Sequence, residues 1–148
     1  GLSRQDLVCN HPRILMKTLV ALAITSLLCQ AQAKDFKVFV KTINIIEAKG
    51  QKTNVKPGDN GRAIGPMQIH YEYWLDAVSA DPSIGGKYSD CNKWSYSVKV
   101  VQAYLKLHAP KAFQRMDYQT LARIHNGGPN GHTWYSTVSY WERFKKAM

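Results

Sequence analysis

Residues 61–70 read Gly-Arg-Ala-Ile-Gly-Pro-Met-Gln-Ile-His, a run in which glycines lead into an ordered, apolar segment. The polar stretch 51–64 overlaps this run and contains the dipeptides Pro57-Gly58 and Asn60-Gly61. Such dipeptides are typical of tight turns and hairpins. The pattern therefore predicts a hairpin or an irregular β-type excursion between two helical segments.

Apolar residues at helical spacing flank this excursion on both sides. Upstream, Lys34–Ala48 places apolar side chains three or four residues apart, and Gly50 follows as a terminator. Downstream, Pro66 suits the first position of a second helix. The positions expected to face the core are Phe36, Val38, Phe39, Val40, Ile43 and Ile46 in the first helix, and Met67, Ile69, Tyr71, Trp74, Leu75 and Val78 in the second.

Three further helices are predicted in the second half of the chain. Trp94–His108 has a regular apolar stripe and is followed by Pro110, and Tyr118–His125 begins after Asp117, a good N-cap residue. Thr133–Lys146 ends in basic residues, which the helix dipole favours there. Loops are expected at 81–86 and 126–131. The expected core positions are Val98, Val101, Tyr104, Leu105, His108, Trp134, Val138, Trp141 and Phe144, with Trp74. The prediction is one mainly helical α+β domain.

The N-terminal part has the order of a secretory signal peptide. Met16-Lys17 precedes an apolar run from Thr18 to Cys29, and Ala31-Gln32-Ala33 forms a small-x-small cleavage site. The run of about a dozen apolar residues is shorter than the roughly 20 that span a bilayer. We therefore expect residues 1–15 to be an over-extended start or an expression-derived addition, 16–33 to be removed near Ala33, and 34–148 to be secreted to the extracellular space or periplasm without stable membrane insertion.

Charge and cysteine content restrict the function classes. The net charge is +10, and residues 1–33 contribute three basic residues and one acidic residue, so 34–148 retain +8. A secreted basic domain is attracted to polyanions such as bacterial envelopes. No nucleic-acid motif accompanies the charge, so nucleic acid is not an expected partner.

Cys91 alone follows the proposed cleavage site, which predicts a buried thiol and no internal disulfide.

Two acidic residues, one just before the turn-rich stretch and one within it, suggest a chemistry. Glu47 ends an apolar helix, where the helix dipole and apolar neighbours both disfavour its charge and raise its pKa. Asp59 lies between Gly58 and Asn60 in a solvated turn and is expected to stay ionised. Glycoside cleavage requires one protonated and one ionised carboxyl group. The pair predicts a sugar-cleaving enzyme.

These residues and several motifs resemble the invertebrate-type (i-type) lysozymes, and in particular their cysteine-poor bacterial relatives. The motifs are Gly65-Pro66-Met67-Gln68-Ile69, Tyr73-Trp74-Leu75-Asp76, Ala122-Arg123-Ile124-His125-Asn126-Gly127-Gly128-Pro129-Asn130-Gly131 and Tyr140-Trp141. The resemblance implies a lysozyme-like fold and hydrolysis of the β-1,4 bond between N-acetylmuramic acid and N-acetylglucosamine in peptidoglycan. It implies Glu47 as general acid and Asp59 as second carboxylate. One departure is Ala48, where the family usually has serine.

Four further residues are candidates for contacts with peptidoglycan glycan strands. The resemblance suggests that Gln68 bonds a sugar, His70 borders the cleft segment, and His125 and Asn126 begin a glycine-rich loop suited to lining a groove. No metal ligand set and no cofactor are expected. The alternatives are a lytic transglycosylase that uses Glu47 alone, a non-catalytic basic wall-binding protein, and isopeptide hydrolysis, for which the spacing identifies no nucleophile.

Overall fold

The computed structural model describes residues 11–148, so the predictions for residues 1–10, Cys9 included, lie outside the described residues. The chain forms two compact units, residues 1–34 and Asp35–Met148. The helices are α1 (His11–Ala48), α2 (Tyr71–Ala80), α3 (Trp94–His108), α4 (Pro110–Arg115), α5 (Tyr118–Gly127) and α6 (Val138–Ala147), and the strands are β1 (Ala63–Ile64) and β2 (Ile69–His70). Short 3-10 turns cover Asp59–Gly61, Pro82–Ile84, Tyr88–Asn92, Gly131–Thr133 and Tyr135–Thr137.

The described part of the first unit is helical and apolar. Leu19, Leu22 and Leu27 are all more than half exposed. By length and composition, Leu15–Ala48 is long and apolar enough to cross a membrane, with a mean hydropathy of 1.4, and a signal sequence near the N-terminus passes the same test. The apolar run of about a dozen residues belongs to this longer helix. Helix length alone therefore does not distinguish a membrane-spanning helix from a signal sequence. The helix is compatible with a signal peptide.

The second unit is built around the C-terminal part of α1. Phe36, Phe39, Val40 and Ile43 are buried there, as their spacing predicted, whereas Val38 is 40% exposed because it lies on the opposite face. The Phe39 ring packs 5.4 Å from that of Phe144. The other largest fully buried side chains are Met67, Ile69, Val100, Val101, Leu105, Leu121, Ile124, Thr137 and Tyr140.

The β-excursion exists, but the hairpin lies later than predicted. β1 and β2 are antiparallel, with Ala63 opposite His70 and Ile64 opposite Ile69. Pro66 therefore sits in the hairpin turn and does not start a helix, since Gly65 (φ +74°) and Gln68 (φ +49°) interrupt any helical path. The predicted core face shifts as a result: Met67 and Ile69 are buried in the hairpin. In α2 the buried residues are Tyr73 and Ala77, while Tyr71 and Leu75 are exposed and Trp74 and Val78 are partly buried.

The later helices follow the predictions with three corrections, the first being that α5 continues to Gly127, two residues into the loop predicted for 126–131. α3 has the predicted ends, and Asp117 caps α5 by accepting a hydrogen bond from Thr120 N (3.2 Å). Pro110 ends α3 but also begins the unpredicted helix α4, because proline suits a first helical position. The last helix begins at Val138, not at Thr133, after two 3-10 turns. Consequently Trp134 (50% exposed) and Val138 (36%) are not core residues. Trp141, Val98 and His108 are partly buried.

The fold class is the predicted one, mainly helical with a small two-stranded sheet after the first helix. The sheet is held against the helical part by backbone and side-chain contacts. The Tyr88 hydroxyl lies 2.7 Å from the Ile69 carbonyl oxygen and 2.9 Å from that of Arg62. Cys91 is buried and free beside Gly65. The hairpin is thus anchored to the 3-10 turn that precedes α3.

Candidate active site

Glu47 is presented by the last turn of α1. The helix ends in a left-handed pair, Lys49 (φ +52°) and Gly50 (φ +80°), and the Gly50 amide bonds the Asn44 carbonyl (3.2 Å). The Lys49 amide also bonds the Ile45 carbonyl (3.1 Å), and this single bond at a left-handed residue is the αL pattern of a helix end. Gly50 thus ends the helix, as its place in the sequence predicted, and Glu47 lies within the final turn.

The carboxyl group of Glu47 is partly enclosed by α6. The Tyr140 hydroxyl donates a hydrogen bond to Glu47 Oε1 at 2.7 Å. Burial raises the pKa of Glu47 above its usual value, and the Tyr140 hydrogen bond and the positive charge of Arg143 oppose that rise. Since burial is the largest of these effects, the protonated acid is favoured to a higher pH than for a solvated glutamate.

Asp59 projects from a tight turn that precedes the hairpin. Asp59 (φ +47°) and Asn60 (φ +56°) are both left-handed, and the Gly61 amide bonds the Gly58 carbonyl (2.9 Å). Two central residues with positive φ are the mark of a type I′ turn, where Asp and Asn are favoured. An antiparallel bridge between Gly58 and Ala63 closes the loop. Local sequence therefore determines where the Asp59 carboxylate points.

The Asp59 side chain is 41% exposed and faces two basic groups. Arg62 Nη2 donates to Asp59 Oδ1 at 2.8 Å, and His70 Nε2 lies 3.4 Å from Asp59 Oδ2. Arg62 comes from the same loop and His70 from the end of β2. The environment of Asp59 is thus polar and solvated, in contrast to that of Glu47.

A buried amide links the end of α1 to the hairpin turn. Asn44 Nδ2, one turn before Glu47, donates to the Pro66 carbonyl in the hairpin turn (3.0 Å) and to the Gln51 carbonyl (2.7 Å). A cavity of about 190 Å³ lies between these segments. Its lining contains all six residues predicted from the sequence, together with Ala63: Glu47, Asp59, Gln68, His70, His125 and Asn126.

Gln68 makes contacts within the hairpin that the sequence did not indicate. Its side-chain amide donates to the carbonyl oxygens of Gly65 (3.0 Å) and Lys56 (3.4 Å). A Cβ at Gly58 would lie 2.2 Å from Gln68 Oε1, so the absence of a side chain at Gly58 makes room for this amide. Gln68 therefore fastens the segment that leads into Asp59 onto the hairpin turn.

His125 and Asn126 form the α5 wall of the cavity. His125 is 9% exposed, its Nδ1 lies 3.1 Å from the Tyr73 hydroxyl, and it is hydrogen-bonded to the Met67 backbone. Burial lowers the pKa of His125 to about 4, so the imidazole is neutral at neutral pH. Asn126 is exposed. His125 connects α5 to the hairpin turn, whereas Asn126 presents a free surface to the cavity.

Asn44, Arg62 and Tyr140 lie at the site although the sequence analysis did not predict them there, and Tyr140 entered it only as part of the motif Tyr140-Trp141. Tyr140 stands 93 positions after Glu47, and no local pattern connects the two. Arg62, in contrast, belongs to the quoted run and could have been paired with Asp59 at a spacing of three residues. Within residues 11–148, no group of three or more His, Cys, Asp or Glu side chains could hold a metal ion.

The fold and this cavity define the class of protein. This is a mainly helical domain whose first core helix ends with a partly buried glutamate, and an aspartate follows in the turn before a short hairpin. Such an arrangement has a lysozyme-like architecture. The family model described as Destabilase matches residues 41–147, which include both carboxylates. The chain belongs to the destabilase family of invertebrate-type lysozymes.

Sequence and structural relatives agree with this assignment. The chain is 34% identical over 89 residues to a lysozyme of Ostrea edulis, covering 58% of this chain and 62% of that protein. It is 36% identical over 83 residues to an invertebrate-type lysozyme of Ruditapes philippinarum, covering 55% of this chain and 58% of that protein. The matched part thus spans less than two thirds of the length of these curated relatives.

Two solved structures are similar in fold. The crystal structure of Tapes japonica lysozyme superposes with a TM-score of 0.62 at 32% identity, covering 74% of this chain and 87% of that chain. A chain in the crystal structure of Aeromonas hydrophila PliI in complex with Meretrix lusoria lysozyme gives a TM-score of 0.59 at 29% identity, with the same two coverages. The lysozyme-like fold expected from the sequence is confirmed.

Proposed function

We propose that this chain is a glycoside hydrolase that cleaves the β-1,4 bond between N-acetylmuramic acid and N-acetylglucosamine in bacterial peptidoglycan. The observation that carries the proposal is that Glu47 and Asp59 line one cavity in opposite environments. Membership of the destabilase family and similarity to proteins named lysozyme support it.

Glu47 acts as the general acid. Because burial favours its protonated form, the side chain can hold a proton until a glycosidic oxygen approaches within the cavity. The proton passes to that oxygen as the bond between the oxygen and the anomeric carbon breaks, and the leaving sugar departs as an alcohol. Glu47 is then a carboxylate and can act as a base in the second half of the reaction.

Asp59 acts on the anomeric carbon. Bond breaking leaves positive charge there, and the solvated carboxylate of Asp59 stabilises that charge or attacks the carbon directly. Water then adds its oxygen to the anomeric carbon, which breaks the bond to Asp59 if one has formed, and gives a proton to Glu47. These steps restore the starting state of both carboxyl groups. The ion pair with Arg62 holds the Asp59 carboxylate in place during these steps.

The remaining cavity residues divide into two roles. His70 and Asn126 have half-exposed or exposed side chains on the cavity wall, and we assign them to hydrogen bonds with sugar hydroxyl or acetamido groups. Gln68 and His125 also line the cavity, but the side-chain nitrogen of Gln68 and the imidazole of His125 are hydrogen-bonded to the protein. We therefore assign these two residues mainly to support of the hairpin.

Substrate and location are part of the same proposal. The +8 charge of residues 34–148 favours approach to the anionic cell wall, and no observation favours nucleic acid as a partner. The N-terminal apolar helix is compatible with a signal peptide. We infer that residues 16–33 are removed near Ala33 and that residues 34–148 form the secreted catalytic domain. N-terminal sequencing of protein recovered from the medium or periplasm tests the cleavage position.

Mass analysis of fragments from purified peptidoglycan tests the reaction. New reducing-end sugars are expected from the hydrolase. Anhydro sugar ends would instead identify a lytic transglycosylase, and new amino termini would identify a peptidase. Binding to the wall without any fragment would identify a non-catalytic wall-binding protein.

The variant Asp59→Asn separates the first two outcomes independently. Asparagine tolerates the left-handed backbone of this turn, so the substitution removes the charge and keeps the loop. The hydrolase requires the Asp59 charge and should lose nearly all activity. Activity close to that of the unmodified protein would favour a transglycosylase that uses Glu47 alone. Asp35→Asn, an exposed aspartate outside the cavity, is the matched control.

A further inference from the structure

The hydroxyl of Tyr140 is hydrogen-bonded to one of the two carboxyl oxygens of Glu47. Tyr140 is 1% exposed, and its hydroxyl donates to Glu47 Oε1 at 2.7 Å. The centroid of its ring lies 6.4 Å from the centroid of the His125 imidazole. The Cζ atom of Arg143 lies over the same ring, 5.0 Å from its centroid. These contacts, together with burial, hold the hydroxyl in a fixed position.

The hydroxyl is a donor to Glu47 in both protonation states of the acid. Burial and the neighbouring Glu47 carboxyl raise the pKa of Tyr140 well above 10, so the phenol keeps its proton at every pH at which the protein would work. A carboxylate accepts this hydrogen bond on Oε1. A neutral carboxylic acid can also accept it on Oε1, provided that its own proton is on the other oxygen.

We propose that Tyr140 is a positioning residue that directs the transferable proton of Glu47 to Oε2. Oε1 is reserved for the phenol, and Oε2 is the oxygen that protonates the glycosidic bond. Tyr140 touches neither the sugar nor the broken bond and acts through Glu47. This inference rests on the proposed function, because it concerns the acid of that reaction.

The same hydrogen bond affects the pH range over which Glu47 is an acid. A donor to the carboxylate stabilises the anion, so removing the phenol should shift proton loss from Glu47 to higher pH. The other charged or titratable groups that act on Glu47 or share its cavity are Arg143 of α6, Asp59 and His70 at the hairpin, and His125 of α5. Arg143 and Tyr140 both lower the pKa of Glu47. His125 is uncharged above about pH 4.

The variant Tyr140→Phe removes the hydroxyl and keeps the ring. We expect kcat on soluble glycan fragments to fall about tenfold with little change in KM, because the proton is no longer confined to one oxygen. The alkaline limb of the kcat/KM profile should move up by about one pH unit. Tyr118→Phe, which removes a phenol bonded to the Asp35 carbonyl (2.8 Å), is the matched control and should leave the limb in place.

Two measurements do not depend on catalysis. A carbon-13 NMR titration of the Glu47 carboxyl group should show the same upward shift in Tyr140→Phe and none in Tyr118→Phe. Neutron diffraction of the unmodified protein, at a pH where Glu47 is protonated, should place deuterium on Oε2. Deuterium on Oε1, or a titration unchanged in Tyr140→Phe, would overturn the inference. Failure of the unmodified protein to release sugar fragments would overturn the proposed function and leave these two results unaffected.

Discussion

The two sides of the cavity hold their carboxyl groups by different means. Glu47 lies at the end of a helix whose inner face is buried, and its carboxyl group contacts Tyr140 from the far end of the chain. Asp59 lies in a four-residue turn closed by Gly58 and Ala63, and its partner Arg62 is three residues away. Tertiary packing sets the environment of the first group, and local turn geometry sets that of the second.

This difference gives the two carboxyl groups opposite surroundings. A packed helical frame removes water from Glu47 and favours the neutral acid. A surface turn keeps Asp59 in contact with solvent and with a guanidinium group. Asn44 joins the two segments by its bond to Pro66, so the distinct environments belong to one cavity.

The largest effect should come from removing the acid itself. Glu47→Gln keeps the shape of the side chain and an oxygen that can accept from Tyr140, but it has no proton to donate. We expect kcat to fall by about 10³-fold or more. Release of reducing sugars from peptidoglycan measures the loss, and Glu72→Gln, an exposed glutamate on α2, serves as the control. Activity in Glu47→Gln equal to that of the unmodified protein would show that Glu47 is not the general acid.

Stability of the same variant tests the cause of the shifted pKa. A carboxyl group whose pKa is raised on folding stabilises the protein below its usual pKa, and this contribution is lost as pH rises through the folded value. Glu47→Gln should therefore gain stability relative to the unmodified protein as pH increases from 4 to 8. Urea unfolding at several pH values measures this difference. A difference independent of pH would mean that Glu47 is not buried enough to matter.

The second test concerns how the hairpin is anchored. In Gly65→Ala the new Cβ would lie 1.9 Å from the Cys91 carbonyl oxygen at a left-handed backbone position (φ +74°). We expect a loss of about 3 kcal/mol in the free energy of unfolding. Gly61→Ala, also left-handed (φ +89°) but with no atom within 4 Å, should cost about 1 kcal/mol. Equal losses would show that the hairpin is free to move away from Cys91.

Sequence patterns predicted the features that depend on local chemistry. The end of α1 shortly before Gly50, both ends of α3 and the Asp117 cap all follow from spacing and capping residues. Asp59 in a turn follows from Pro57-Gly58 and Asn60-Gly61. The pairing of Glu47 with Asp59 was predicted from their contrasting surroundings and from the resemblance to a family, since spacing alone does not place two residues together.

The errors concern features decided by distant contacts. Pro66 fits a helix start and a hairpin turn equally well, and the turn is chosen by the Asn44 amide and by Gly65 packing on Cys91. Tyr140 is a regular core aromatic in its own helix, and its contact with Glu47 emerges only when α6 packs against α1. Gln68 lines the cavity, but its left-handed backbone lies in the hairpin turn and its side-chain amide donates to Gly65 and Lys56.

The third test measures how the free energy of unfolding depends on pH through His125, the buried histidine of the α5 wall. The pKa of His125 is lowered from about 6.5 to about 4, so the unfolded chain binds a proton between these values and the folded chain does not. Stability should therefore fall as pH decreases through this window, by about 3 kcal/mol at most. In His125→Gln this part of the acid sensitivity should disappear, whereas in His132→Gln, an exposed histidine, it should remain. Unfolding curves with equal pH slopes in all three proteins would contradict burial of a neutral imidazole.

The smallest effect should come from Gln68, and it distinguishes support of Asp59 from sugar binding. In Gln68→Ala the bonds to Gly65 and Lys56 are lost, so the loop before Asp59 is less well fixed. We expect kcat to fall about tenfold with KM nearly unchanged, and the free energy of unfolding to fall by about 1 kcal/mol.

Two further variants make this last comparison specific. Asn126→Ala removes an exposed cavity amide and should mainly raise KM. Gln119→Ala, an exposed glutamine elsewhere on α5, should change neither constant. A raised KM with unchanged kcat in Gln68→Ala would restore the role in sugar binding that the sequence suggested. It would also mean that the turn geometry around Asn60 is sufficient to hold Asp59 without the Gln68 amide.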